Sequence, residues 1–373
     1  MDALTTPSNW KRVRLGDIGK PCMCKRVMKH QTTRYGEIPF YKIGTFGNTA
    51  DAFISKKLFL EYKTKYSFPK KGDILISASG TIGRAVIYDG KPAYFQDSNI
   101  VWIDNDETLV KNDFLFYAYS NIKWNTEHTT ILRLYNDNFR NTLIPLPPLN
   151  EQIAIANILS DLDHYLYTLD ALILKKESVK KALSFELLSQ RKRLKGFNQA
   201  WQRVKLGDIA NYLTSNLSAE QITQQGKIKV YDVNNFIGYT NTTFISDKPY
   251  ISIVKDGSVG RVRILPPKTN ILSTMGALVA NHKTTTEFLF YLLSNFDFKN
   301  FTSGSIIPHI YFKDYKEKTI FLPPLNEQIA IANILSDLDS EIISLKNKKR
   351  QFENIKKALN HDLMSAKIRV LKQ

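Results

Sequence analysis

The clearest pattern along the chain is a heptad seam. After Pro147 and Pro148, apolar residues fall at Ile155, Leu159, Leu162, Leu166, Leu169 and Ile173, with spacings of four and three in alternation. That period keeps one apolar stripe on one side of a helix and calls for a helical partner. Asn150 is placed to cap the start, with Glu151 in the first turn. The seam returns at Ile331, Leu335, Leu338, Ile342 and Leu345, then meets Lys349. Val179, Leu183, Leu187 and Leu194 extend the first copy; Ile355, Leu359, Leu363 and Val370 extend the second. The pattern predicts two helices of about 45 residues, roughly 65–70 Å each at 1.5 Å per residue. "RKRLK" at 191–195 reads as the charged last turn of the first. Alone, each helix would expose its seam, so the simplest partner for each is the other.

The helices belong to a larger duplication. "LPPLNEQIAIANILSDLD" occupies 146–163 and recurs letter for letter at 322–339, and the copies align without a gap at an offset of 176 to Lys195 and Leu371. A second pair of boxes, "WKRVRLGDI" (10–18) and "WQRVKLGDI" (201–209), stands at an offset of 191, so the second half has 15 fewer residues between its boxes. Weaker echoes pair "SGTIGRA" (79–85) with "DGSVGRV" (256–262), and "FLFYAYS" (114–120) with "FLFYLLS" (288–294). At mid-helix, Ile173 is matched by Lys349 and Lys176 by Phe352. An antiparallel pair would let Ile173 pack toward Phe352 and turn both lysines outward. A parallel pair would set each apolar residue against a lysine.

Between the boxes the periodicity changes. "KGDILISASGTIGRAVIY", "NIVWID" and "KIKVYDVNNFIGYT" are β-rich and bounded by Gly and Asp; the "FLFY" segments read as short buried helices. The fold class is therefore α+β. Two α/β globules, residues 1–148 and 196–324, are separated by two long antiparallel helices, 149–195 and 325–373, in a coiled coil with a pseudo-twofold internal repeat.

Charge adds a partner to this picture. The net charge is +17, from 52 Lys and Arg against 35 Asp and Glu. Residues 1–148 carry +7, 149–195 +2, 196–324 +5 and 325–373 +3, so the excess is not a tail. Such a field favours a polyanion, nucleic acid ahead of an anionic membrane. Met1–Pro7 carries no basic-then-apolar signal pattern and no run is long enough to span a bilayer, so a soluble, cytoplasmic protein is expected. Two cysteines, Cys22 and Cys24, make a poor zinc site without further ligands, and read as small buried thiols. The sequence contains no P-loop, no G-x-G-x-x-G turn after a strand, no H-E-x-x-H, and no Asn- or Asp-Pro-Pro-aromatic tetrapeptide. "SGTIG" and "DGSVG" read as tight turns between strands rather than phosphate cradles. No catalytic residue and no metal ligand is assigned.

With these residues in view, the chain resembles the specificity subunit (HsdS) of type I restriction-modification systems along essentially its whole length. The doubled "LPPLNEQIAIANILSDLD", the two W-x-x-V-x-L-G-D-I boxes, "GTIGRAVI…FQDSNIVW" (80–102) and "SGSIIPHIYFKDY" (303–315) carry the resemblance. It implies two target-recognition domains, each reading one half of a bipartite double-stranded DNA target. It also implies helices that set their separation and dock two methyltransferase subunits. S-adenosylmethionine would belong to those subunits, and ATP and Mg to restriction subunits that join the assembly, leaving this chain a non-catalytic reader without a cofactor. The identical helix starts then face two copies of one partner, through Glu151, Gln152 and Asn157 and through Glu327, Gln328 and Asn333.

Base readout needs Arg, Lys, Asn, Gln, Ser or Thr on loops entering a groove, and phosphates need Lys or Arg. In the first domain the candidates are Lys25, Arg26, Lys29, Arg34, Lys70, Lys71, Arg84, Asn136, Asn138 and Arg140. In the second they are Lys227, Lys229, Asn234, Asn235, Arg261, Ser303, Ser305, His309 and Lys313. Two other readings stay open on the residues alone: a coiled-coil interaction scaffold that binds no DNA, and a standalone nuclease or methyltransferase with unfamiliar motifs.

Overall fold

The computed structural model describes residues 9–128 and 132–370; Met1–Pro7, read above for a targeting signal, and Leu371 lie outside them. Contacts divide the chain into two compact units. One joins the residues up to 169 with those from 348 onward, and the other spans 170–347. Each unit thus holds one variable block and one half of each long helix.

In the first unit a four-stranded antiparallel sheet runs in the order Gly19–Met23, Ile100–Asn105, Ile74–Ser77, Ala85–Ile87. A three-stranded sheet orders Phe53–Ile54, Ile38–Tyr41 and Tyr94–Phe95, the last pair parallel. The second unit repeats this plan. Its four-stranded sheet runs Ala210–Thr214, Met275–Ala280, Tyr250–Val254, Val262–Leu265. Its three-stranded sheet is Phe236–Thr240, Ile228–Tyr231 and Asn270–Ile271, again with a parallel last pair. Blocks that differ in letters share one topology.

The inner strands Ile74–Ser77 and Tyr250–Val254 are buried at every residue. Side chains alternate across a strand, and here each face meets its own core. Ile74 and Ile76 join Phe114, Leu115, Ile155 and Leu159, while Leu75 joins Phe40, Tyr94 and Trp102. Ile251 and Ile253 join Phe288, Leu289, Ile331 and Leu335, while Tyr250 and Val254 join Ile271 and Met275. The "FLFY" segments are the buried helices Asn112–Tyr119 and Thr286–Ser294.

In each unit the strand of the first box pairs antiparallel with the strand that leads into the long helix. Lys11–Arg14 lies against Leu143–Leu146, and Gln202–Lys205 against Thr319–Leu322. Both Gly turns connect sheet neighbours, as expected. Gly83 and Gly260 have φ of +82° and +80°. A Cβ on Gly83 would overlap the Trp124 indole, and one on Gly260 would lie 2.7 Å from the Phe298 ring.

The long helices are Leu149–Leu188 and Leu325–Met364, 40 residues each. They start at the expected residues and stop sooner than expected. Pro148, not Asn150, caps the first, since its carbonyl accepts the Gln152 N–H at 3.0 Å. Gln190 (φ 60°) and Ala366 (φ 57°) lie beyond the last turns in the left-handed region. After the second helix, Lys367 N–H donates to Asp362 and Ala366 N–H to Leu363, a Schellman closure. "RKRLK" therefore lies outside the helix.

Within each unit the helix halves run antiparallel. In the second, Lys176 pairs with Glu341 at 2.8 Å and Lys180 with Asp339; in the first, Asp163 meets Lys356, and the Tyr165 and Phe352 rings pack tilted with centroids 4.7 Å apart. The two mid-helix lysines do not turn outward. Lys176 and Lys349 are about two-thirds buried, and Lys349 pairs with Glu353 at 3.5 Å. The seam also differs from the expected one. Val179 and Ile355 are 39% and 50% exposed, because the heptad count continues from Ile173 through Lys176, Lys180, Leu183 and Leu187, and from Leu345 through Lys349, Phe352, Lys356, Leu359 and Leu363. Lysine fills seam positions by burying its methylene stem and pairing its ammonium with an acid.

Candidate functional site

The duplicated helix starts hold two matching junctions. Glu151 is 2% exposed. It accepts the Trp10 indole N–H at 3.0 Å and both prongs of Arg369, Nε at 2.7 Å and Nη2 at 3.0 Å. Glu327, fully buried, accepts Trp201 Nε1–H at 3.0 Å and Arg193 through Nε at 3.1 Å and Nη2 at 2.6 Å. A buried carboxylate is tolerable only with such partners. Gln152 accepts the Lys111 N–H at 2.8 Å and donates to Leu109 O and Pro147 O. Gln328 accepts from Thr285 N–H and Thr284 Oγ1 and donates to Lys283 O and Pro323 O.

This corrects the expected docking surfaces. Glu151, Gln152, Glu327 and Gln328 are internal. The glutamates bind the first box of each unit to its long helix, and the glutamines bind the segment ahead of the short buried helix to it. Of the six residues only Asn157 and Asn333 are exposed. The exposed apolar identity of the two copies lies in Leu149 and Ile153 (39% and 46%) and Leu325 and Ile329 (45% and 49%). With Asn157 or Asn333 these form an i, i+4, i+8 ridge on each helix, apolar and uncovered. A second duplicated contact lies a few turns on. Tyr117 O–H donates to Asp163 at 2.8 Å beside Lys356, and Tyr291 O–H to Asp339 at 2.9 Å beside Lys180. Burial first, then the carboxylate acceptor, pushes both phenols far up, so they stay protonated donors.

The candidate recognition residues are spread over several elements. In the first unit Lys29, Arg34 and Lys71 are exposed; Lys25 Nζ stands 5.0 Å from the Tyr66 ring and Arg26 pairs with Asp97 at 2.9 Å. Lys70 is bound to Asp104 at 3.0 Å, which raises its pKa. Arg84, exposed, follows the Gly turn. On the helix Asn136–Asn141, Asn136 and Arg140 are exposed, while Asn138 lines a cleft with Asn121, Asn125, Asn141 and His361. In the second unit Lys227, Lys229, Arg261, Ser303 and Ser305 are exposed. Asn234 and Asn235 form an exposed turn whose N–H groups bond Asp232, and Lys313 stands 5.4 Å from the Tyr311 ring.

What the structure does bring together, in both units, is the Gly turn and the segment ahead of the last short helix. Ser79 bridges Arg133, and Asp256 bridges His309; Leu134 N–H donates to Ala78, and Ile310 N–H to Lys255. Arg133 and His309 are related by the repeat offset of 176. Arg133 was missed from sequence, and so were Ser98, whose carbonyl and hydroxyl accept its Nη2, and Asn99, bonded by Ser79 at 2.8 Å. Applying the offset to His309 would have found Arg133. Cys24 is buried and its thiol pushed up to about 12, first by burial; Cys22 is half-buried. Among the described residues no His, Cys, Asp or Glu cluster could hold a metal, and no helix is long and apolar enough to cross a membrane.

The comparisons agree with this doubled architecture. Residues 7–176 and 198–354 each match the type I restriction modification DNA specificity domain, and the chain belongs to that family of DNA specificity subunits. It is 63% identical over 150 residues to a provisionally assigned type I restriction enzyme specificity subunit of Haemophilus influenzae, a match covering 40% of this chain and 39% of that one. It is 30% identical over 404 aligned positions to a provisionally assigned type I restriction enzyme specificity subunit, MjaX, of Methanocaldococcus jannaschii, covering 98% and 95%. Its fold matches the crystal structure of the S subunit of a type I restriction-modification system from M. genitalium with a TM-score of 0.63 at 20% identity, over 97% and 98% of the two chains.

Proposed function

We propose that this chain reads DNA for a methylating and restricting assembly, each variable block binding one half of a bipartite target. One observation carries the partner side of the reading: the ridges Leu149-Ile153-Asn157 and Leu325-Ile329-Asn333 are identical, largely apolar and exposed. A contiguous exposed apolar ridge marks an interaction surface, and two identical ridges fit two copies of one partner. That partner is a methyltransferase subunit, which brings S-adenosylmethionine. Restriction subunits bring ATP and Mg. The chain itself is non-catalytic and supplies basic, polar loops to the grooves. The net charge of +17 supports a polyanionic ligand.

The test is genome-wide mapping of methyladenine in a host with and without the gene, with the methyltransferase gene present in both. A bipartite motif methylated only when the gene is present supports the reading. The purified chain is also incubated alone with DNA and labelled S-adenosylmethionine. Methylation by the chain alone, abolished by a point change within it, would overturn the non-catalytic assignment.

A further inference from the structure

The second unit carries an apolar tip with no use inside the chain. Ser303 and His309 close a hairpin by reciprocal backbone bonds of 2.9 and 2.8 Å. At its end Ile306 is 92% exposed and Ile307 61%. The tip is held, not loose. Gly304 turns at φ +92°, His309 Nδ1 lies 3.1 Å from the Ile307 carbonyl, and Gly257 N–H donates to Pro308 O at 2.8 Å, tying the hairpin to the Gly turn. Two stiff β-branched side chains are thus presented to solvent, where apolar surface is costly unless something covers it. Their chain neighbours are groups suited to a nucleic acid: Ser303, Ser305, His309 and Lys313 in the same segment, and Arg261 just past the bonded Gly turn.

We propose that Ile306 and Ile307 form a wedge that enters duplex DNA between base pairs, unstacking one step and kinking the half-site read by the second domain. Apolar wedges flanked by cationic and polar side chains do this when the bend lets more protein surface reach the duplex. The polar flanks alone would serve a surface contact; the exposed isoleucines call for an apolar cover, which stacked base faces supply. This inference rests on the reading that the second domain binds DNA.

The experiment uses the complete chain in complex with its methyltransferase and duplexes carrying the mapped target. 2-Aminopurine replaces, in turn, each adenine of the second half-site except the methylated one. The wild type is compared with Ile306→Ser/Ile307→Ser and with the conservative Ile306→Leu/Ile307→Val. A fluorescence rise at one step with wild type and the conservative variant, absent with the serine variant, is the expected result. It should come with binding weaker on the order of tenfold for the serine variant. Bound DNA without unstacking in the wild type, or unstacking kept in the serine variant, overturns the wedge alone. Loss of methyltransferase from the serine variant during purification also overturns it, assigning the tip to a protein contact. No binding of the mapped duplex by the wild type overturns the DNA reading itself, and the wedge with it.

Discussion

Glu151 and Arg369 lie 218 positions apart, yet they form a two-pronged ion pair with the Trp10 indole sharing the same carboxylate. Glu327 repeats the arrangement with Arg193 and Trp201. The tryptophan of the first box and the glutamate of the second are therefore one contact, which is why both boxes recur together.

Glu151→Ala should destabilise the first unit by about 2–3 kcal/mol. That is less than the 3–5 typical of breaking a fully buried pair, because Arg369 is 26% exposed. Glu327→Ala should act likewise on the second unit. Trp201 is the one tryptophan between 170 and 347, so urea titration read at its emission checks the second case after the other three are replaced by Phe. An unchanged midpoint would remove the junction from the stability of the fold.

Ile153→Asp should reduce bound methyltransferase from two copies to one, and Ile153→Asp with Ile329→Asp from two to none, with unfolding midpoints unchanged. A charged carboxylate cannot be buried in an apolar contact without a partner. Mass photometry of the purified complexes reads the stoichiometry. Two copies retained on the double variant would move the docking surface elsewhere.

Gly83→Ala and Gly260→Ala should each cost about 2 kcal/mol or more, combining left-handed backbone with overlap on Trp124 or Phe298. Each should weaken one half-site and spare the other. Methylation scored on duplexes with one half-site randomised separates the two.

Val179→Lys and Ile355→Lys should change stability by no more than about 0.5 kcal/mol, as exposed surface changes do. Leu187→Ala, at a position 2% exposed, should cost about 2–5 kcal/mol. Thermal unfolding ranks the three, and equal losses would restore the seam through Val179.

The helices, the duplication and the alternation of strand and helix were legible because each rests on a period. The seam beyond Ile173 was not, since a lysine at Lys176 or Lys180 counts as polar in a pattern although its stem packs. Glu151 and Gln152 were misjudged for the same reason. A polar letter after a proline reads as surface, and only the fold brings Trp10, Arg369 and the carbonyls of Leu109 and Pro147 around them. Single recognition residues stayed illegible, because loops carry no period. Arg133 was the exception, being reachable from His309 through the repeat.

The strand pairings carry a last consequence. Lys11 lies opposite Leu146 and Gln202 opposite Leu322, so each variable block leaves and rejoins its unit at one narrow neck. Past a neck the block touches the helix through one face, the inner strand and the short buried helix. What lies away from that face can lengthen, shorten or be exchanged without disturbing the helix behind it. The 15 residues by which the halves differ lie beyond the necks, while both necks keep four residue pairs. A new DNA specificity thus needs a new insert on an old stem.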